Sequence, residues 1–209
     1  MELLVIGAAG RTGRRVVDQA LAAGHAVTAY VRHPEALTRH DRLTVQQGDV
    51  LDSGAVSAAM AGKDAVISVL GVKGRGPTTV FSAGMANVIA AMNANGARRL
   101  VAVSSGGLDS GADVPLPQRL VATYIVARLL RNIYADLARM EAELEASGTD
   151  WTVIRATLLT EKPATGAYRV AVGGSLSRPE RISRADLAAY IVSCVTMPET
   201  YGKKVMISY

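Results

Sequence analysis

The sequence predicts an α/β fold: a doubly wound parallel sheet with helices on both faces and a small C-terminal part covering the substrate side. Three observations predict it. Short, continuous apolar runs recur along the chain and alternate with helix-patterned stretches. Strands buried on both faces read as such runs, and parallel sheets sandwiched between helices are where they occur. The first run leads directly into a turn with glycines at Gly7, Gly10 and Gly13. The length, 209 residues, suits a single domain of this kind with a substantial core.

The first strand is Glu2 to Ile6. After the glycine turn a helix is expected from Arg14 to Ala23, then a second strand from Ala26 to Val31. Strand, glycine turn and helix in this order make the Rossmann-type dinucleotide fingerprint. Gly7 allows the sharp exit from the strand, Gly10 leaves no side chain where a pyrophosphate would lie, and Gly13 lets the helix pack on the sheet. The helix N-terminus points N–H groups and a partial positive charge at the anion. Gly7, Ala9, Gly10, Arg11, Thr12 and Gly13 are therefore expected cofactor contacts. The end of the second strand selects the cofactor. An NAD site places an acid there for the ribose 2′-hydroxyl. Here Arg32 follows Val27-Thr28-Ala29-Tyr30-Val31, with no acid among them. A guanidinium fork matches a 2′-phosphate, and Arg11 adds a second positive charge. The expected cofactor is NADP(H).

The remaining elements follow in order. A short helix is expected from His33 through Leu37, and a third strand from Leu43 to Gln46. Asp49 and Val50 come next, at the edge where adenine would sit, Asp49 accepting from its amino group and Val50 covering the ring. Asp52 and Ser53 cap a helix through Met60. Ala65 to Leu70 is a fourth strand, which places Leu70 and Gly71 near the ribose and pyrophosphate. A basic loop, Val72 to Pro77, precedes a helix from Thr78 to Asn93, with Gly96 as a stop signal. Leu100 to Val103 is a fifth strand ending in Ser104 and Ser105. Arg119 to Ala146 is helical, with Asn132 marking a break and Glu141, Glu143 and Glu145 forming a solvated face. Trp151 to Arg155 is the sixth strand; Arg155 either binds an anionic substrate or ties down the following loop. That loop, Thr157 to Thr165, is the candidate substrate contact, including Thr157 and Leu158. Tyr168 to Val172 is a strand, Ser183 caps a last helix with Asp186 at its third position, and Lys203 to Ile207 closes the sheet.

The Gly-x-x-Gly-x-x-Gly spacing resembles the short-chain dehydrogenase/reductase superfamily. With Gly48-Asp49-Val50-Leu51, Pro77-Thr78-Thr79-Val80 through Ile89-Ala90-Ala91-Met92, and Thr165-Gly166-Ala167-Tyr168, the chain resembles one atypical branch over essentially its whole length. That branch is the biliverdin-IXβ reductase/flavin reductase family and its bacterial NAD(P)H-binding relatives. The resemblance assigns Ser105 to the family's serine beside the nicotinamide, where a hydroxyl hydrogen-bonds the carboxamide or the substrate. Ser104 is its neighbour on the cofactor side. The family's histidine after strand six falls on Leu158, so tetrapyrrole reduction loses that support. The Tyr-x-x-x-Lys machinery, in which an ammonium tunes a phenol for proton exchange, appears as Tyr124-Ile125-Val126-Ala127-Arg128. Arg replaces Lys, and the segment is apolar, so Tyr124 is either a catalytic acid or a packing residue. Tyr134 has no basic partner at that spacing. Without a placed acid, the simplest chemistry is hydride donation to a small conjugated acceptor, flavin or quinone-like, with a proton from water. The alternatives are a redox sensor resembling the NmrA-like regulators and a biosynthetic ketoreductase or isomerase.

Composition excludes other classes. Net charge is +5, but only 4% of residues are aromatic and no nucleic-acid motif is present, so a phosphorylated cofactor and a small-molecule substrate are expected rather than nucleic acid. The single cysteine, Cys194, lies in an apolar run and reads as a buried small hydrophobe. One cysteine and no signal-peptide pattern give a cytoplasmic expectation. No run approaches the ~18 residues of a membrane span. The three histidines all precede residue 41, so neither a Ser-His-Asp triad at Ser105 nor a metal site is expected. The expected state is a monomer or homodimer.

Overall fold

Strand and helix alternate from the first residues, as β1 (Glu2–Ile6), α1 (Arg11–Ala22), β2 (Ala26–Val31), β3 (Leu43–Gln47), α2 (Ser53–Met60), β4 (Ala65–Ser68), α3 (Val80–Asn95) and β5 (Arg99–Ser105). A 3-10 turn (Gly106–Asp109), α4 (Leu116–Ala146), β6 (Asp150–Ala156), β7 (Leu158–Thr160), β8 (Arg169–Val172), β9 (Arg181–Ser183), α5 (Arg184–Cys194) and β10 (Lys203–Ser208) follow. This computed structural model describes all residues except 35, 36, 38 and 110–115, and all side chains except those and residues 108, 109 and 116–127. The expected helix at His33 to Leu37 falls partly on residues 35 and 36, outside the described residues.

The main sheet runs β3-β2-β1-β4-β5-β6-β10-β8. All its pairings are parallel except β10 with β8. Strand order reverses between β1 and β4, the switch point at which doubly wound sheets bind ligands. Helices α1 and α5 cover one face, burying Val16, Val17, Leu187 and Ile191 against Val5, Ile67 and Val101. Helices α2, α3 and α4 cover the other, burying Met60, Met85, Met92 and Leu144 against Leu4, Val66 and Leu100. The alternation of β1 explains both cores: Leu3 and Val5 face one layer, Leu4 and Ile6 the other.

Several boundaries differ from the sequence expectation. Helix α1 starts at Arg11, because Gly10 O already accepts from Arg14 N at 2.9 Å. Strand β4 ends at Ser68, leaving Leu70 and Gly71 beyond it. Helix α4 is unbroken through Asn132, whose side chain donates to Arg75 O instead of competing for its own helix backbone. The substrate-side segment contains β7, paired in parallel with β9 as a separate two-stranded sheet. β10 does not close the main sheet; β8 lies outside it.

The start of α3 lacks a side-chain cap from its own N-cap, Thr79. Asp136 of α4 supplies one instead: its buried carboxylate accepts from Phe81 N at 2.9 Å and Ser82 Oγ at 2.5 Å. A carboxylate at a helix N-terminus also meets the positive end of the dipole. The two helices on this face are thereby locked together.

Candidate cofactor and acceptor site

The three glycines are required for different reasons. Gly7 has φ +81°, and a Cβ there would lie 2.7 Å from Val69 O. A Cβ on Gly13 would collide with Gly7 O and the Ala8 backbone. Both are demanded by the fold's own packing. Gly10 has φ −68° and only one close neighbour, Gly7 O at 3.2 Å from an added Cβ; beyond it the space is open. Gly10 is the N-cap of α1, which has no side-chain cap and no acid in its first turn. The helix start is thus left to an external anion, and a dinucleotide pyrophosphate fits it. Arg14 Nε donates to Ala9 O at 3.1 Å and fixes the turn. Thr12 is half-buried in the first helical turn.

On the adenosine side, Arg32 is exposed just past β2, and no ion pair engages its guanidinium among the described residues. Gly48 allows the Tyr30 ring to lie against it, and Tyr30 donates to Asp49 O at 3.0 Å. The Asp49 carboxylate accepts from Leu51 N and remains exposed. Val50 is 6% exposed and packs on Gly84, so more of it serves the core than the sequence expectation allowed. Leu70 and Gly71 follow Val69, the residue whose carbonyl abuts Gly7.

At the end of β5, alternation sends the two serines to opposite faces. Ser104 is buried and donates to Glu141 Oε1 at 2.7 Å. This corrects its expected role as a cofactor contact: its hydroxyl is consumed on the α4 side. Ser105 is half-buried and accepts from Gly107 N at 3.2 Å, which leaves its own proton to donate. A side chain on Gly107 would run into the Tyr134 hydroxyl and lie 3.4 Å from Ser105 Oγ. Both hydroxyls therefore meet at this glycine. Tyr134, which lacks the expected basic partner in sequence, is the phenol that packs on the glycine next to Ser105's turn. The side chain of Tyr124, on α4, lies outside the described residues.

Glu141 is not part of a solvated face. It is 2% exposed and receives Arg155 Nη2 at 2.6 Å, Arg155 Nε at 3.2 Å and Lys204 Nζ at 3.3 Å. Burial pushes its carboxyl up, but the hydrogen bonds from Arg155 and Ser104 and the nearby charges outweigh that and hold it below its usual range. Arg155 is thus committed to an internal ion pair rather than presented to a substrate. Thr157 is likewise turned inward, its Oγ1 donating to Ile207 O at 3.3 Å. Leu158 is the opposite, 70% exposed at the same edge.

The substrate-side segment is tied at two points. At one, Glu161 receives Arg11 at 3.2 Å, Arg15 at 3.0 Å and Arg184 at 2.9 Å. Arg11, expected to add charge for a 2′-phosphate, is thereby paired with Glu161 while its side chain stays mostly exposed. At the other, buried Asp186 accepts from Thr165 N at 3.0 Å, Gly166 N at 2.9 Å, Ser183 Oγ at 3.0 Å and Tyr209 Oη at 2.6 Å. Burial alone would raise this carboxyl, but those donors bring it down to about 2. Thr165, Ala167, Tyr168, Arg169 and Tyr209 line an open, mainly apolar cleft of about 580 Å³. It lies beyond β6, on the β10–β8 side of the carboxyl edge. Among the described residues no group of three or more His, Cys, Asp or Glu is placed to hold a metal ion, and no helix is long and apolar enough to cross a membrane.

A doubly wound sheet, a close-packed glycine turn and an uncapped helix start at the switch point define a dinucleotide-binding protein. The chain belongs to the NAD(P)H-binding family, whose family model matches residues 7–198. It is 29% identical over 175 residues to an uncharacterised chloroplast protein of Arabidopsis thaliana, a match covering 79% of this chain and 61% of that one. The chain thus spans about three fifths of that relative. Among solved structures it is similar to a Rossmann-fold NAD(P)-binding protein of Shigella flexneri, with TM-score 0.75 and 25% identity over 99% of this chain and 92% of the other. An anaerobillin reductase of Escherichia coli O157:H7 has TM-score 0.77 and 24% identity over 100% of this chain and 97% of its own.

Proposed function

We propose that the protein is an NADPH-dependent reductase that passes hydride to a small conjugated acceptor, flavin or quinone-like. The observation that carries the cofactor choice is Arg32, exposed, without an ion pair among the described residues, and preceded by no acid in β2. In this reading the amides at the start of α1 hold the pyrophosphate, Arg32 holds the 2′-phosphate, and Asp49 and Val50 flank the adenine. Bound there, the reduced nicotinamide supplies a hydride.

The chain's own part is alignment and hydrogen bonding. Ser105 keeps a proton to donate, and the Tyr134 hydroxyl packs against the same glycine, Gly107. Together they orient the carboxamide or an acceptor carbonyl. Among the described residues, Glu141, bonded to Ser104 on β5, is itself engaged by Arg155 and Lys204. A conjugated acceptor that takes its proton from water suits such a site. The apolar cleft walled by Tyr168 and Tyr209, with Leu158 exposed at the same edge, suits a flat acceptor. The reductase among the structural relatives supports the same class of chemistry.

The test is anaerobic NADPH oxidation with FMN, riboflavin, simple quinones and biliverdin. Saturable turnover with a flavin or quinone is expected. Arg32→Ala should raise the KM for NADPH by roughly 10- to 100-fold, the worth of charge-assisted bonds to a phosphate, and leave that for NADH nearly unchanged. Equal effects on both cofactors would rule out the 2′-phosphate role. Tight NADPH binding with no acceptor turned over would favour a sensor.

A further inference from the structure

Arg32 is the first residue past β2, and a residue past a strand end has lost the ladder that holds its peptide. Pairing of β2 with β3 ends with Val31 opposite Gln47. The last backbone bond at these two strand ends runs from Gly48 N to Val31 O at 2.9 Å. Beyond it the chain after β3 turns away into Asp49, whose carbonyl is held by Tyr30 at 3.0 Å. Among the described residues the one donor to Arg32 O is a side chain: Gln47 Nε2, at 3.1 Å. An amide that meets a carbonyl must present its N–H, so the partner sets which way this side chain points. Gln47 thus adds one rung to the ladder where the main chain can no longer supply it.

The face on which Gln47 stands matters as well. Its register partner, Val31, packs with Val27 and Ala29 in the layer that also holds Val16 and Val17 of α1. Strand alternation puts Gln47 on that same face, which is the face covered by the helix with the uncapped N-terminus. Gln47 is exposed there, and so is Arg32. A long cationic side chain loses rotamer freedom when it grips a phosphate, and a main chain free to swing would add to that cost. Holding the Arg32 peptide in advance removes the main-chain part.

We propose that Gln47 is a positioning residue for Arg32: its amide fixes the Arg32 main chain so that the guanidinium meets the cofactor's 2′-phosphate already oriented, and it thereby sets the preference for NADP(H) over NAD(H). This rests on the NADP(H) reading. A cofactor without the 2′-phosphate does not call on the Arg32 guanidinium and is therefore indifferent to Gln47.

Calorimetric titration with NADP+ and with NAD+ tests this without turnover. Gln47→Met keeps the reach of the side chain and removes its donor, at an exposed position where the fold tolerates the change. The Kd for NADP+ should rise about three- to tenfold, the worth of one hydrogen bond. The Kd for NAD+ should change by less than about twofold, as for a surface substitution with no partner at stake. In an Arg32→Ala background the same substitution should change neither value, because a residue that acts through Arg32 then has nothing to act on. Equal weakening of both cofactors would show a merely structural role and overturn the proposal. So would an unchanged NADP+ affinity in Gln47→Met, or a full effect of Gln47→Met in the Arg32→Ala background. Each of these leaves the cofactor reading standing as long as Arg32→Ala alone weakens NADP+ selectively. If Arg32→Ala weakens both cofactors equally, or neither, the proposal and the cofactor reading fall together.

Discussion

The two ends of the site treat their polar groups in opposite ways. Around the glycine turn they are left open: α1 starts without a side-chain cap, and Arg32 has no ion pair among the described residues. Across the sheet, from the end of β5 to β10, they are used up internally. Ser104, Glu141, Arg155 and Lys204 form one cluster, and Asp186, Thr165, Gly166 and Tyr209 another. Buried polar groups must be satisfied, so an internally closed network marks a wall, and an open donor set marks a place for a ligand. The first end is a receptor for phosphate. The second is scaffolding around an apolar cleft, with Ser105, Tyr134 and Leu158 as the groups it turns toward the edge.

The glycine turn offers the largest break in this comparison. Gly13→Ala places a methyl into the Gly7 and Ala8 backbone, where neither side can yield cheaply. Alanine's better helix propensity returns about 1 kcal/mol, against an overpacking cost at the top of its range. The expected net loss of stability is about 3 kcal/mol or more. Gly10→Ala adds the same methyl with one tight neighbour, Gly7 O at 3.2 Å, and open space beyond; it should cost about 1 kcal/mol, yet lower NADP(H) affinity at least about tenfold because it fills the pyrophosphate position. Thermal melts and cofactor titrations of the pair separate the glycine the fold needs from the glycine the ligand needs. Equal loss of stability in both would remove the distinction.

The second break is in the closed end. The Asp186 carboxyl lies at about 2, below its ordinary 3.8, so the folded protein binds fewer protons than the unfolded chain between these values. Its contribution to stability is therefore complete above about pH 4 and disappears as pH falls toward 2, a loss of about 2.5 kcal/mol. Asp186→Asn should be less stable than the unaltered protein at pH 7 by about that amount and should flatten the acid limb of the stability curve over this window. Denaturant melts from pH 7 to pH 2 check both. An acid limb unchanged by the substitution would show that the anchor at Thr165 and Gly166 does not depend on ionised Asp186.

The open end was the more legible in sequence, for a physical reason. A backbone that must turn sharply and pack closely dictates residue type locally, so Gly7, Gly10 and Gly13 announce themselves, and a strand end dictates where Arg32 must stand. The closed end depends on residues far apart. Glu161 meets Arg11 across 150 positions and Arg15 across 146, which no local pattern carries. Three-residue strands such as β7 and β9 are too short to show a period. Glu141 was legible in principle: it shares a helix face with the buried Leu137, Met140 and Leu144, at the spacing of a stripe turned toward the sheet. Reading it with Glu143 and Glu145 as one solvated acidic run hid that stripe. The same stripe carries Tyr134, three residues before Leu137, which explains why this phenol, with no lysine at the expected spacing, packs against Gly107.

The finest test of the comparison lies within two adjacent residues. Ser104 and Ser105 differ by one step along β5 and so by one face of the sheet. Ser104→Ala deprives buried Glu141 of one donor while Arg155 and Lys204 remain, and the expected loss is about 1 to 2 kcal/mol of stability with kcat and KM unaltered. Ser105→Ala removes only a half-exposed acceptor for Gly107 N, costing about 0.5 kcal/mol, and should lower kcat about tenfold by removing one oriented donor at the reacting end. Stability and turnover should thus separate between two neighbouring hydroxyls of identical chemistry. If Ser104→Ala reduced turnover and Ser105→Ala did not, the reacting groups would have to lie on the α4 face, and the closed network around Glu141 would be the site rather than its wall.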